Sequence, residues 1–412
     1  MSKISYVTRK LSQIAKITTG STPSTGDETN FSDEGVCWVK PDNLRGLNGV
    51  SQVKQKISAK GMLSMSMVRK GSVLVNCIGD VGKIGVADID LVTNQQINSI
   101  SFNNSLVDDR YGAYMILASE DEAKSEANSV VVPILNKGNQ SNIKYTFPES
   151  VELQKSIASY LDRKVSIIDK IITAKNHTHT HLLELRRAII TDAVLGRGGA
   201  FMNYRQTNIP WIGKIPVHWQ VRRIKDVADI SVGWTPDTNN PDYFNGNNTW
   251  VTIADMNQKY IVSSKVKISN EAIDSSRIKL VKKGSLLYSF KLSVGKVAFA
   301  GKDLYTNEAI AAITPNYNDE VDTSFLYYAI STYLANNANE NIYGAKIMNQ
   351  DTIRNSYVAF PDINEQLKIS RTLDKKVRNI DNAVSINKQS IQLLNEYRSS
   401  LISNVINGKV KV

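Results

Sequence analysis

One segment of this chain is written twice. KGSVLVNCIGDVGKIGVADIDLVTNQQINSI begins at Lys70 and KGSLLYSFKLSVGKVAFAGKDLYTNEAIAAI begins at Lys283; they align without a gap, and just under half of the positions are identical. The echo extends well beyond this block. IAKITTGSTP from Ile14 is answered by VADISVGWTP from Val227, Trp38-Val39 by Trp250-Val251, and NQSNI at Asn139 by NQDTI at Asn349. Each copy reaches Phe-Pro, at Phe147-Pro148 and Phe360-Pro361, and then enters a long apolar periodicity. A duplication of this length makes the chain order body, helix, body, helix. At 412 residues, each body has enough chain for a core of its own.

The duplication also decides what GDVGKIG, Gly79 to Gly85, is for. A Walker loop needs Gly, four residues, then Gly-Lys-Ser/Thr, and here Ile84 stands in place of the hydroxyl. A dinucleotide fingerprint lacks its first Gly-x-Gly pair. The second copy keeps only Val294-Gly295-Lys296 of the first copy's Val81-Gly82-Lys83, with Leu292 and Ala298 in place of Gly79 and Gly85. The conserved pair therefore reads as a glycine that turns a hairpin with a lysine at its tip. Short alternating runs such as SVLVNCI and SLLYSF, bounded by Gly, Asn and Asp, are strands. RYGAYMILAS and TSFLYYAISTYLANN are helices, so each body is a compact α+β domain.

After Pro148, Leu161, Ile168, Leu182 and Ile189 recur at multiples of seven, flanked by Ile157, Val165, Ile171, Ile172 and Leu185. After Pro361, Leu373, Ile380, Leu394 and Leu401 do the same, flanked by Ile369, Val377, Val384, Ile391 and Val405. This seam predicts two helices of about 38 residues, roughly 57 Å each, that pack along their length. Glycines after Leu195 and Asn407 stop them. Both seams are interrupted at one place, by Lys175 and Asn387, the polar positions that would set the register. An antiparallel coiled coil with pseudo-twofold symmetry would bring these two together. The expected boundaries are 1–150 and 221–361 for the two bodies, 151–197 and 362–412 for the helices, and 198–220 for the linker.

Fifty Lys+Arg against 39 Asp+Glu give a formal charge of +11, which favours a polyanionic partner. Two cysteines, Cys37 and Cys77, without a CxxC pair argue against a disulfide framework or zinc finger and suit a reducing compartment. The opening MSKISYVTRKLSQIAKITTG is no signal peptide, and no run approaches the ~20 apolar residues of a membrane span, so a cytoplasmic protein with no membrane partner is expected. In NHTHTH, His177 and His181 share a helix face while His179 points elsewhere, too few ligands for a metal site, and none is expected.

The duplicated bodies, the Ile-Pro…Trp linker IPVHW, the block KKGSLLYSFKLSVGKVAF and the helix start FPDINEQLKI together resemble the specificity subunit of Type I restriction–modification systems. The resemblance spans essentially the whole chain. It implies two target recognition domains, each reading one half of an asymmetric double-stranded DNA site. It further implies helices that set the gap and dock methyltransferase subunits, two of them, with restriction/translocase subunits joining through the complex. On this resemblance the subunit is not an enzyme by itself and needs no cofactor; S-adenosylmethionine, ATP and magnesium belong to the partners. The sequence agrees, since NIPW at Asn208 has one proline where an adenine methyltransferase motif has two. The first helix starts VELQKSI where the second has NEQLKI, which leaves the boundary of the first helix open. A coiled-coil scaffold that binds no DNA is the alternative, and it leaves the two diverged bodies and the charge without a purpose.

Arg or Lys suits guanine, Asn or Gln suits adenine, and Lys suits phosphate. The candidate DNA contacts are Lys40, Asn43, Arg45, Lys83, Lys137, Asn139 and Gln140 in the first body. In the second they are Asn257, Lys259, Lys291, Lys296, Lys346, Asn349 and Gln350. Positions shared between the bodies are assigned to phosphate or scaffold, and unshared ones to base reading.

Overall fold

The computed structural model describes residues 5–128, 132–197, 203–291, 293–316, 321–336, 339–340 and 346–410. The chain divides into two compact units, residues 1–177 with 388–412 and residues 178–387. Neither unit is simply one body followed by the whole of its own helix. Each combines one body, the first part of the helix that follows it and the last part of the other long helix.

In the first unit a five-stranded sheet runs in the order Ala15–Thr19, Ile97–Phe102, Val73–Asn76, Ile84–Ala87, Gly49–Val50. All neighbours are antiparallel except the last pair. The second unit repeats this order with Ala228–Val232, Ile310–Pro315, Leu286–Ser289, Val297–Ala300 and Tyr260–Ile261. A three-stranded sheet centred on Phe31–Val39, or on Asn248–Val251, accompanies each.

The central strands are buried on both faces, and their alternation shows why. Val73 and Val75 face one core with Tyr111, Tyr114 and Met115 of the helix Asp109–Ala118. Leu74 faces another with Cys37, Val39, Val68 and Leu91. In the second unit Leu286 and Tyr288 meet Phe325 and Tyr328 of the helix Thr323–Asn336, while Leu287 meets Val251, Val281 and Leu304. Successive strand residues point to opposite faces, so one strand serves two cores.

The hairpin reading of Gly-Lys holds. Gly82 and Gly295 have φ of 90° and 107° in the turns that join Val73–Asn76 to Ile84–Ala87 and Leu286–Ser289 to Val297–Ala300. A side chain is strained in that left-handed region.

The long helices are Val151–Val194 and Ile363–Ile406, 44 residues each and so about 66 Å, longer than the seam alone indicates. Their starts are set by capping residues. Ser150 Oγ accepts from Leu153 N–H at 3.2 Å, and Asp362 Oδ1 accepts from Glu365 N–H at 3.0 Å. Their ends are set by Gly196 and Gly408, with φ of 66° and 69°. The two helices therefore start and stop at equivalent residues, and the irregular VELQKSI does not shift the boundary.

Within each unit the helix segments run antiparallel. In the first, Arg398 pairs with Asp169 at 2.6 Å, and further along Gly408 lies against Tyr6, beside the strand that precedes the first helix. In the second, Arg186 pairs with Asp381 at 2.7 Å, and Gly196 lies against Pro216 and Trp219. Leu161, Val165, Leu373 and Val377 are buried as the seam predicts, but toward the helix ends Ile190 and Ile402 are buried while Ile189 and Leu401 are only half-buried. The flanking Ile171 and Leu185 are exposed. A helix of 3.6 residues per turn drifts away from a strict heptad over this length, which moves the stripe by one position. Lys175 is half-buried in the first unit and Asn387 is buried in the second.

Candidate nucleic-acid interface

Each body is fastened to its helix by a buried glutamine and a carboxylate. Gln154 is wholly buried; it accepts from Asp108 N–H at 2.8 Å and donates to the carbonyls of Leu106 and Pro148. Gln366 repeats this, accepting from Asp322 N–H at 2.9 Å and donating to Pro361 C=O. One helical turn pair further on, Asp162 accepts from the Tyr114 hydroxyl and from Arg110, the latter at 2.6 Å. In the second unit Asp374 accepts from the Tyr328 hydroxyl and from Lys259, the latter at 2.6 Å. The cation comes from a helix in one unit and from a loop in the other.

Lys259 is thereby committed. Its ammonium lies between 5.2 and 5.8 Å from the ring centres of Tyr260, Phe299, Tyr327 and Tyr328 and is paired with Asp374. Partial burial pushes the Asp374 carboxyl up, but the Lys259 ammonium and the Tyr328 hydroxyl outweigh it and hold the group below the usual carboxylate range. Burial pushes the Tyr328 phenol up, and the facing carboxylate adds to that. Apart from Lys259, these fastening residues escaped the sequence reading because their partners are strands and helices distant in the chain. The recurrence of a glutamine just after each Phe-Pro was the available signal.

The remaining candidates fall into surface and scaffold positions. Lys40 lies 4.3 Å above the Trp38 ring, and Asn43 Oδ1 accepts from the Lys40 N–H in a short turn. Arg45 and Lys83 line one groove of about 900 Å³ together with Lys124 and Arg398. Lys137 is exposed at the start of the helix Lys137–Asn142. Asn139 donates to Glu126 C=O, and Gln140, 2 % exposed, accepts from Asn98 Nδ2 at 2.7 Å. In the second unit Asn257 and Lys291 are exposed, and Lys296 Nζ donates to Ile253 C=O at 3.1 Å. Asn349 caps the helix Gln350–Asn355, and Gln350 donates to Ile230 C=O. The side chain of Lys346 lies outside the described residues.

One correspondence is corrected by these contacts. The structural equivalent of Asn349 is Asn136, not Asn139. Asn136 Oδ1 accepts from Asn139 N–H at 2.8 Å as Asn349 Oδ1 accepts from Thr352 N–H at 2.7 Å, and each cap opens a six-residue helix leading into the last strand of its body. The shared letters NQ matched in the sequence, whereas the fold matches the caps.

Among the described residues no group of three or more His, Cys, Asp or Glu is placed to hold a metal ion, and no helix is long and apolar enough to cross a membrane. The linker's Trp219 is buried against Phe325 and donates to Glu365 Oε1, with His218 beside it on Oε2. IPVHW is thus a structural latch on the second helix.

A sequence model of the family described as Type I restriction modification DNA specificity domain matches residues 3–178 and 216–396. The chain belongs to this family. Among relatives in this specificity-domain family, the Type I restriction enzyme MjaIX specificity subunit of Methanocaldococcus jannaschii is 29% identical over 199 residues, 47% of this chain and 45% of that one. The HindI specificity subunit of Haemophilus influenzae is 26% identical over 48% of this chain and 42% of its own length. The chain thus matches less than half of either relative. The MjaVIII specificity subunit of M. jannaschii is 21% identical across 81% of this chain and 76% of that one. The fold is shared with a solved chain from work on complex assembly and conformational transition of the type I R-M system, at a TM-score of 0.76 and 14% identity over the full length of both. It is shared too with the HsdS subunit from Thermoanaerobacter tengcongensis, at a TM-score of 0.53 and 14% identity, covering 98% of this chain and 97% of that one.

Proposed function

We propose that this chain is the address-giving subunit of a Type I restriction–modification enzyme. Each α+β body reads one half of a split, asymmetric double-stranded DNA site. The long helices set the gap between halves and dock two methyltransferase subunits, through which restriction/translocase subunits join. The observation that carries this reading is that one recognition body is built twice on a single chain, each copy fastened to a 44-residue helix by the same glutamine, aspartate and tyrosine, while the exposed loops differ. Two readers at a fixed separation recognise two short sequences a fixed number of base pairs apart, as dimeric DNA binders do. Exposed Ile167, Ile171, Leu393 and Tyr397 in the first unit, and Leu183, Leu185 and Ile386 in the second, give the helices apolar surface for protein partners.

On this reading the chain itself performs no chemistry, S-adenosylmethionine, ATP and magnesium bind the partner subunits, and the assembly works in the cytoplasm. Salt dependence tests the DNA arm of the proposal. Affinity of the assembled complex for its site should fall by about three orders of magnitude between 50 and 200 mM salt if six or so phosphates are met. A flat salt response would favour a scaffold that does not bind DNA.

A further inference from the structure

Two loops in each body meet on the surface: residues 20–23 with 93–96, and their equivalents 233–236 with 306–309. Their backbones are joined in the same way. Gly20 N–H donates to Ile97 C=O and Ser21 N–H to Thr93 C=O; Gly233 N–H donates to Ile310 C=O and Trp234 N–H to Thr306 C=O. The approach is so close that a Cβ on Gly20 would lie 2.2 Å from Asn94 O, and one on Gly233 would lie 2.1 Å from Thr306 O. Only glycine permits it, so both loops form rigid platforms. Under each platform a tryptophan indole donates to the loop carbonyl, Trp38 to Ser21 at 3.2 Å and Trp250 to Trp234 at 3.1 Å.

On each platform stands one exposed side chain held by a threonine. The Thr22 hydroxyl donates to Gln95 Oε1, and the Thr235 hydroxyl donates to Glu308 Oε2. No described hydrogen bond uses Gln95 Nε2 or Glu308 Oε1, and both residues are exposed. A lysine stands beside each platform. Lys40 follows Val39, whose C=O accepts from Asn94 N–H, and Lys291 follows Phe290, whose N–H donates to Ala309 C=O. Scaffold and threonine are alike in the two bodies, the neighbouring lysines follow different strands of the repeat, with Thr252 and Ile78 at the equivalent places, and the reading group is changed from amide to carboxylate. A half-exposed Trp234 replaces Ser21 next to it.

We infer that Gln95 and Glu308 are equivalent specificity-determining residues, one for each half-site. The Gln95 amide has the donor and acceptor that an adenine edge requires, and the Glu308 carboxylate accepts from the cytosine amino group. Lys40 and Lys291 supply the phosphate contact that sets register beside each reader. The inference rests on the DNA-reading function proposed above.

The test uses the intact system in its host, with methylation mapped at single-base resolution for wild type, Glu308→Gln and Gln95→Glu. Glu308→Gln should alter one position in one half of the motif, and Gln95→Glu one position in the other half. The purified complete complex then supplies a second readout on duplexes carrying each base at each position. Discrimination at that one position should change by roughly 5- to 150-fold, with the other positions unaffected. An unchanged motif with unchanged binding overturns the inference. So does a uniform loss of affinity across all sequences, which marks a phosphate or folding role. If wild type itself shows no split motif that depends on this gene, the proposed function fails and the inference falls with it.

Discussion

Arg398 donates to Asp169 at 2.6 Å in the first unit, and the equivalent residues exchange roles in the second, where Arg186 donates to Asp381 at 2.7 Å. Each helix gives one arginine and one aspartate, so the same rivet is made twice. The reciprocity follows from duplication, because whatever one helix offers to its partner the partner also offers back.

The rivets are partly exposed and worth little individually. Arg398→Gln should lower stability by less than about 1 kcal/mol, and the Arg398→Gln/Asp169→Asn double variant should be little worse than either single one. Urea unfolding of the four proteins of that cycle measures the coupling; a value of several kcal/mol would show the pair to be desolvated.

The buried glutamines should matter far more. Gln154→Leu leaves Asp108 N–H and the carbonyls of Leu106 and Pro148 without their partner, at a cost of about 2–4 kcal/mol. Gln366→Leu should behave likewise in the second unit. Hydrogen exchange of the amides of Asp108 and Asp322 reports each site separately, and protection at Asp108 should fall only in the first variant.

Asp374 carries a pH signature. Its carboxyl is held below the ordinary value in the folded chain, so its stabilising contribution is complete above the unfolded pKa of about 3.9 and is lost as pH falls through the lower folded value. The stability gap between wild type and Asp374→Asn should therefore be constant at neutral pH and close only in acid below about pH 4. Paired urea midpoints across pH 3–7 check this. A gap that closes near pH 6 would mean that the carboxylate is not the group responsible.

Burial pushes the Cys77 thiol up to about 12. The native protein should leave Cys77 unmodified by thiol reagents at pH 8–9, whereas the unfolded chain, with an ordinary thiol near 8.5, reacts at once. Because the unfolded thiol ionises first, stability from this site is present at neutral pH and declines as pH rises above about 8.5. Mass spectrometry after timed alkylation locates the modified cysteine.

The repeat, the strand-rich bodies and the paired helices were legible because each leaves a periodic or duplicated trace in the sequence. The full helix length was not, since the starting caps Ser150 and Asp362 lie outside the apolar seam. Lys259 looked like a surface cation, but its cage is assembled from Phe299, Tyr327 and Asp374, which only folding brings near. Asn139-Gln140 looked like a repeat of Asn349-Gln350 because the letters agree, while the caps that define the fold lie at Asn136 and Asn349. Gln95 and Glu308 passed unnoticed for the opposite reason. They face each other in the gapless repeat with different letters, and only the common platform beneath them shows that the position carries an exposed, threonine-held polar group.

The most direct test of the whole account is a methylation map of host DNA with this gene intact, deleted, and carrying residues 1–150 from a relative of different specificity. The account predicts a split adenine-methylated motif that disappears on deletion and changes in one half only in the chimera. A motif that survives deletion, or a chimera whose two halves both change, would contradict it.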